Sequence, residues 1–183
     1  MHLETQRLLL REFTENDWPA VLANQNDPLY LRYYHWTERM AADVKAFVQM
    51  FIDNQQERPR KKYQLAIVLK SNGQLIGSCG VRINDPALRE ANIGYELASR
   101  HWGNGYATEA AGEILRFGFT DLGMHRIWAM TIAENKGSAR VLQKLGMRLE
   151  AHEREKEWIK DRWRDRLTFA ILDHEWQSQE LIS

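Results

Sequence analysis

The alternation of apolar and polar residues in the first half of the chain predicts a strand, two helices and a hairpin. Residues 5–13 contain an apolar run flanked by arginines, and residues 14–17 resemble the capping box that begins a helix. From residue 43 onward the apolar positions follow the spacing of an amphipathic helix: Val44, Phe47, Val48, Phe51 and Ile52. Residues 63–69 and 74–81 are predicted strands, joined at Asn72-Gly73, a strong hairpin signal.

The second half continues the mixture of strands and helices. Residues 91–97 and 126–132 are predicted strands, and residues 147–158 and 163–172 form a predicted final hairpin. One helix is predicted from Tyr106 to near Gly123, and a shorter one covers residues 137–145 before Gly146. The order is strand, two helices, three strands, helix, strand, helix and two strands. This order predicts an α/β (α+β) fold, a mixed sheet of about seven strands covered by about four helices.

Composition limits the classes of partner. The 183 residues, 44% of them hydrophobic, suit a single domain spanning 1–183. Lys plus Arg and Asp plus Glu both number 25, so no nucleic-acid or membrane partner is expected. The start lacks the blocks of a signal peptide and no apolar run reaches membrane-spanning length, so we expect a soluble, cytoplasmic protein. The single cysteine, Cys79, falls in a predicted strand and is interpreted as a buried apolar residue.

A turn with two glycines separates the predicted strand 91–97 from the following helix. Gly103 and Gly105 allow positive φ, and such a turn can direct several backbone N–H groups and the helix N-terminus at a phosphate. A glycine turn without a ligand is an equally good interpretation of this spacing. The nucleotide loops with Gly-Lys-Ser/Thr, or with a third glycine where Thr108 stands, are excluded.

Several motifs in one order resemble the Gcn5-related N-acetyltransferase (GNAT) superfamily. Arg100-x-x-Gly103-x-Gly105, preceded by an Ile-Gly-Tyr strand, is similar to its acetyl-CoA signature, and the segment from Asn135 to Met147 is similar to its second cofactor segment. The opening residues 4–11 and the closing residues 165–176 resemble the RimJ/RimL-type subgroup, which contains ribosomal-protein N-terminal acetyltransferases. The resemblance implies a mostly antiparallel sheet and acetyl-CoA as the co-substrate.

The resemblance also implies a set of cofactor-binding residues. The strand end at Leu97 and Ala98 would pair with the pantetheine arm, and an N–H group there would polarise the thioester carbonyl. Asn135 would bind the pantetheine amides, and Ser138 would lie near the sulfur. The residues that would hold the pyrophosphate are Arg100, Gly103, Asn104, Gly105, Tyr106 and Ala107.

Transfer of an acetyl group to an amine needs a base, and two carboxylates are candidates. Glu157 matches a glutamate proposed as base in some RimL-like enzymes, and Glu96 lies where other branches of the superfamily place theirs. The superfamily's usual proton-donating tyrosine is replaced by Leu142, so either Ser138 donates a proton to the leaving thiolate or the thiolate leaves unassisted. The family's usual glycine in the last hairpin turn is replaced by Arg162, which predicts a turn of altered shape.

The acceptor is left open by the sequence. The subgroup implies a protein or peptide N-terminal α-amine, with a small-molecule amine and a non-catalytic CoA-binding module as alternatives. His35 and Trp36, in an aromatic stretch, are candidate acceptor contacts, although His35 can equally be an exposed residue without a ligand. No histidine has metal-site spacing, so no metal is expected. Because the subgroup often forms dimers, a homodimer is a further expectation.

Overall fold

A computed structural model of the chain describes residues 1–180 and has eight strands and six α-helices in that range. The strands are β1 (His2–Glu4), β2 (Leu8–Glu12), β3 (Lys62–Leu69), β4 (Leu75–Asp85), β5 (Glu90–Leu97), β6 (Arg126–Ile132), β7 (Arg148–Trp158) and β8 (Trp163–Leu172). The helices are α1 (Trp18–Gln25), α2 (Pro28–Leu31), α3 (Ala41–Gln56), α4 (Tyr106–Arg116), α5 (Lys136–Lys144) and α6 (Asp173–Glu180).

The strands form one sheet in the order β1-β2-β3-β4-β5-β6-β8-β7. The pair β5–β6 is parallel, and the other neighbouring pairs among residues 1–180 are antiparallel. The expected mixed, mostly antiparallel sheet is therefore confirmed. The last three residues of the expected domain, 181–183, lie outside the described part of the chain.

The expected counts of about seven strands and about four helices are too low. The additional strand, β1, has three residues, too few for an alternating pattern to stand out, and pairs with β2. The helix α2 has only four residues, also too few for a period. Asp27 caps its start, because the Asp27 side chain accepts a hydrogen bond from the N–H of Leu29. The helix α6 follows the last strand directly.

The two faces of the sheet are covered by different helices, each over its own apolar cluster. On one face α4 and α5 bury residues such as Ile114 and Leu142 against the strands. On the other face α1 and α3 bury Val21, Val44 and Val48, which confirms the apolar stripe predicted for the long helix. The sheet is thus a central layer, with α4 and α5 packed on one face and α1 and α3 on the other.

The hairpin between β7 and β8 turns on Lys160 and Asp161, which have φ of 50° and 58°. The N–H of Ile159 donates to the carbonyl of Arg162 at 3.0 Å, so the loop has two residues, both left-handed, as in a type I′ turn. The positive φ is at 160 and 161 and not at Arg162. Arg162 therefore carries no left-handed strain.

No helix within residues 1–180 is long and apolar enough to cross a membrane. Cys79 is fully buried, as expected, and burial raises the pKa of its thiol. It is therefore a packing residue rather than a nucleophile.

The hairpin geometry predicts that Asp161→Gly stabilises the protein. Glycine removes the cost of a left-handed side chain at the second turn position but adds freedom to the unfolded chain, leaving a gain of about 0.5 kcal/mol. Arg162→Gly is the control, because it relieves no strain and is expected to lose about 0.5–1 kcal/mol. Urea unfolding of both variants measures the difference, and equal effects would contradict the turn geometry.

Candidate active site

The strands β5 and β6 separate after a short contact, and this opening is the centre of the site. They are paired over three residue pairs, the last being Asn92 with Trp128. Beyond it β6 stays with β8 through Ile132, whereas β5 stays with β4 through Leu97. The edge of β5 that faces β6 therefore has no strand partner from residue 93 to its end.

The direction of the backbone groups on β5 follows from one hydrogen bond. The N–H of Ala98 donates to the carbonyl of Ile76, which lies just before Gly77 on β4, at 2.8 Å. Because N–H groups alternate sides along an antiparallel strand, those of Tyr95 and Leu97 point toward the opening. Of the two residues expected to supply a backbone donor, Leu97 has its N–H on the open side, whereas the N–H of Ala98 is already bound to β4.

The glycine turn after β5 has the open backbone expected for a phosphate-binding loop. Gly103 and Gly105 have φ of 79° and 81°, and a Cβ placed on Gly103 would meet nothing within 4 Å. The Asn104 side chain donates to the carbonyls of His101 and Trp102, at 3.2 and 3.0 Å, which braces the loop from within. The helix α4 starts immediately afterwards at Tyr106, so the unpaired N–H groups of its first turn, Ala107 among them, adjoin the loop.

Arg7, next to β2, holds this loop against α4. Its guanidinium donates to Glu109 at 2.7 Å and to the carbonyl of Asn104 at 3.1 Å, and it lies 4.5 Å from the ring centroid of Tyr106. The Thr5 hydroxyl donates to the same Glu109 carboxylate at 2.6 Å, and this network keeps the pKa of Glu109 below its usual value. Arg100, in contrast, is exposed at the edge of the loop.

Asn135 and Ser138 lie at the start of α5. The Asn135 side chain caps the helix by accepting a hydrogen bond from the N–H of Ser138 at 3.1 Å. The hydroxyl of Tyr95 lies 3.0 Å from the Ser138 hydroxyl, and burial raises the pKa of Tyr95 to about 12. Leu142, which replaces the superfamily's usual tyrosine, is fully buried in the core.

Glu96 points to the opposite face of the sheet, toward α1 and α2. The hydroxyl of the buried Tyr30 donates a hydrogen bond to its carboxylate, and the buried Gln25 and Ser78 also stabilise the charged form. Burial is the strongest influence and raises the pKa of the Glu96 carboxyl above its ordinary value, while the nearby charge of Arg39 lowers it.

The other candidate base, Glu157, forms an ion pair with Arg166 near the turn of the β7–β8 hairpin. Glu157 on β7 is partly exposed, and the guanidinium of Arg166 donates to it at 3.2 Å. The same guanidinium is held more closely by Glu153, at 2.7 and 2.9 Å. Glu157 therefore belongs to a surface network of charges on the last two strands.

The candidate acceptor contacts lie in the segment after α2. The rings of Tyr30, Tyr34 and Trp36 form a stack with successive centroid distances of 4.4 and 4.8 Å. The indole N–H of Trp36 is buried and has no hydrogen-bond partner in the described chain. His35 is exposed, so the structure brings Trp36, but not His35, into the row of aromatic rings that leads to Glu96.

Several residues of this site carry no sequence signal of their own. Tyr30 and Gln25 reach Glu96 from more than sixty positions away, and Arg7 reaches Glu109 across about a hundred. The only available signal was that Arg7 belongs to the opening motif of the subgroup. Among the side chains that the structure describes, residues 1–176, no group of three or more His, Cys, Asp or Glu could hold a metal ion.

Comparison with known proteins gives a consistent result. The family model described as an acetyltransferase (GNAT) domain matches residues 7–148. The N-acetyltransferase YnaD of Bacillus subtilis is 34% identical over 177 residues, which are 96% of this chain and 99% of that protein. The crystal structure of a GNAT-family acetyltransferase from Bacillus anthracis is 28% identical, has a TM-score of 0.83 and covers 95% of this chain and 99% of its own.

Structures of more distant members share the fold and include coenzyme A complexes. The ribosomal α-N-protein acetyltransferase RimL in complex with coenzyme A has a TM-score of 0.83 at 18% identity, covering 94% of this chain and 99% of its own. The spermidine N-acetyltransferase of Vibrio cholerae, in complex with CoA and spermine, has a TM-score of 0.81 at 20% identity, covering the same shares. The open strand edge, the glycine loop and the family match together show that this chain belongs to the GNAT acetyltransferases and is an N-acetyltransferase that uses acetyl-CoA.

Proposed function

We propose that this enzyme acetylates an α-amine at the N-terminus of a protein or peptide, with Glu96 as the base. The observation that carries the proposal is the arrangement around the open edge of β5. Glu96 lies on one face of that strand, and the hydroxyls of Tyr95 and Ser138 lie on the other. A proton acceptor and a proton donor thus flank the place where the strand can bind the thioester.

The residues of the opening fit the coenzyme A part of the substrate. The loop from Gly103 to Tyr106 and the start of α4 present N–H groups and space to the pyrophosphate, and Arg100 adds a charge at the edge. The free edge of β5 suits the pantetheine arm, with the N–H of Leu97 placed to polarise a carbonyl. When bound, acetyl-CoA supplies the acetyl group as a thioester that an amine attacks directly.

The base must accept a proton from the attacking amine, since only a neutral amine is nucleophilic. Glu96 suits this task because burial raises its pKa toward that of an amine, and the donors Tyr30, Gln25 and Ser78 fix its position. The Glu157 carboxylate, in contrast, is partly exposed and already forms an ion pair with Arg166. We therefore prefer Glu96 over Glu157.

The donor to the departing thiolate is assigned to the pair formed by Ser138 and Tyr95. Leu142 has no ionisable proton, whereas the two hydroxyls lie 3.0 Å apart and can pass a proton between them. Because thiols are already acidic, with a pKa of about 8.5, only modest assistance is needed.

The charges near Glu96 favour a peptide over a polyamine. The charge of Arg39 lowers the pKa of the Glu96 carboxyl. Burial lowers the pKa of Arg82, and the charge of Glu96 opposes that change, so two guanidinium groups interact with the base. A polyamine would bring further positive charges beside them, whereas an N-terminal residue brings one amine and backbone groups. The unpartnered indole N–H of Trp36 is suited to a peptide carbonyl.

The direct test is release of free thiol from acetyl-CoA in the presence of two panels, peptides with different first residues and small amines that include spermidine. We expect turnover with peptides and at least ten-fold lower kcat/KM with polyamines. Turnover restricted to small amines would overturn the choice of acceptor while leaving the acetyltransferase activity intact.

The loop assignment predicts that Gly103→Asp weakens acetyl-CoA binding at least ten-fold, because a carboxylate would face the pyrophosphate. Gly73→Asp is a matched control: Gly73 has φ of 72° and, like Gly103, nothing within 4 Å of an added Cβ. Both variants should therefore lose similar stability, roughly 1 kcal/mol, from the left-handed side chain. Calorimetric titration with acetyl-CoA separates them, and equal affinities would refute the assignment.

Glu96→Gln is expected to lower kcat by about 100-fold or more, whereas Glu157→Gln should change it by less than about three-fold. The kcat of the wild type should rise with pH as Glu96 loses its proton, at a pH above the ordinary glutamate range because its pKa is raised. This rise of kcat with pH should be absent in the Glu96→Gln variant. A profile unchanged in Glu96→Gln but lost in Glu157→Gln would reverse the choice of base.

Tyr95→Phe is expected to lower kcat by roughly ten-fold while the KM for acetyl-CoA changes less than two-fold. The reason is that the substitution removes one hydroxyl of the proton-donating pair and keeps the ring that packs on the core. Steady-state kinetics at several pH values measures kcat and the KM for acetyl-CoA separately, with Ser138→Ala for comparison. An unchanged kcat in both variants would mean that the thiolate leaves unassisted.

A further inference from the structure

A chain of polar side chains crosses the sheet from Arg82 to the proposed base. The guanidinium of Arg82 on β4 donates to the Gln64 side-chain oxygen at 2.8 Å, and the Gln64 amide donates to the Ser78 hydroxyl at 3.0 Å. Ser78 lies directly opposite Glu96 in the pairing of β4 with β5. The four side chains therefore share the face of the sheet that carries α1 and α2.

Two glycines leave room for this arrangement. Gly80 and Gly94 lie opposite each other on β4 and β5, between the Arg82–Asn92 pair and the Ser78–Glu96 pair. A Cβ on Gly94 would come within 3.2 Å of a guanidinium nitrogen of Arg82, and one on Gly80 within 2.6 Å of the Gln64 oxygen. The guanidinium thus lies over Gly94, in the space where other residues would have a side chain.

The geometry sets the spacing between the positive and negative groups. Gly94 and Glu96 are two residues apart on one strand, so the guanidinium above Gly94 and the carboxylate of Glu96 belong to rows about 7 Å apart. Arg82 makes one side-chain hydrogen bond among the described residues, to Gln64, and its side chain is partly exposed. Its remaining N–H groups are therefore free to bind a carboxylate.

Next to Glu96, the side-chain oxygen of Gln25 is available to accept a hydrogen bond from an amine. Gln25 is 1% exposed, and its side-chain oxygen has no hydrogen-bond partner in the described chain although the residue adjoins Glu96. A buried acceptor without a partner costs free energy that an N–H donor from a ligand would recover. An amine bound at Glu96 can supply that donor.

We propose that the acceptor carries a carboxylate a few bonds from its reacting amine, and that Arg82 binds this carboxylate while Glu96 takes the proton of the amine. The inference rests on the proposed role of Glu96 as the base and specifies the acceptor as an amine that carries a carboxylate. A carboxylate bridged to an amine by two to four bonds spans the gap once a hydrogen bond is added at each end. The chemistry is present in an N-terminal Asp or Glu residue, through its side chain, and in a free amino acid, through its α-carboxylate.

Two substrate pairs distinguish these sources. The first compares peptides that start with Asp or with Asn and are otherwise identical, and the second compares a free amino acid with its amide. For the preferred pair we expect kcat/KM to be roughly 10- to 100-fold higher for the charged member, the usual size of a charge-assisted hydrogen bond. Preference in the first pair identifies an acidic N-terminus, and preference in the second identifies a free amino acid.

The variant Arg82→Met is expected to reduce that preference to less than about three-fold, and Arg82→Lys should retain part of it. The ratio is informative because both members of a pair use the same base, so any effect of the substitution on Glu96 cancels. Arg154→Met, which removes an exposed arginine of β7, is the control and should keep the full ratio. Unchanged acetyl-CoA affinity by calorimetry shows that each variant is folded.

Binding provides a second measurement that does not depend on turnover. Titration of the two members of the preferred pair into the complex with CoA should show tighter binding of the member with the carboxylate to the wild type and no such difference with Arg82→Met. Equal turnover of acceptors with and without the carboxylate would overturn this inference and leave the proposed acetyl transfer standing. Absence of turnover with every amine would instead remove the proposed function itself.

Discussion

The structure depends on the point at which β5 separates from β6. A parallel pair inside a sheet normally continues until one strand ends, because an unpaired backbone edge loses its hydrogen bonds. Here the pairing stops at Asn92, although β5 continues to Leu97 and β6 to Ile132. Each strand keeps its other neighbour, so the sheet remains intact on both sides of the gap. The cost of the unpaired N–H groups is what makes the opening a binding site, since a substrate arm can supply the missing partners.

The contacts next to this opening give a physical reason for the opening motif of the subgroup, residues 4–11. The Thr-x-Arg part of the motif places Thr5 and Arg7 at the edge of β2, where both bind Glu109 on α4. Arg7 then reaches the carbonyl of Asn104 and covers the ring of Tyr106. A loop whose glycines have positive φ would otherwise sample many conformations. The ion pair therefore holds the proposed phosphate loop in one shape before the substrate arrives, which would reduce the entropy that binding costs.

Hydrophobic periodicity and turn residues were sufficient to predict most of the fold. The bounds of β6 and β8 and the start of α4 agree with the expectation, because the apolar spacing marks the two strands and Gly105 marks the start of the helix. The short elements β1 and α2 were missed, since three or four residues are too few to establish a period. The loop residues Gly103 and Gly105 could be named from the motif. The partners of Glu96 could not, because Tyr30, Gln25 and Ser78 come together only when distant segments pack on one face of the sheet.

The alternation of side chains along β5 explains how one strand can organise both proposed proton transfers. Adjacent residues point to opposite faces, so Tyr95 meets Ser138 beneath the sheet while Glu96 meets Tyr30 above it. The N–H of Leu97 lies in the plane between them, toward the open edge. Separation by the strand keeps the carboxylate and the hydroxyl pair apart, so that each retains the environment that shifts its pKa. The same period places Gly94 and Glu96 side by side on one face, and the absence of a side chain at Gly94 is what allows the charge of Arg82 to lie next to the base.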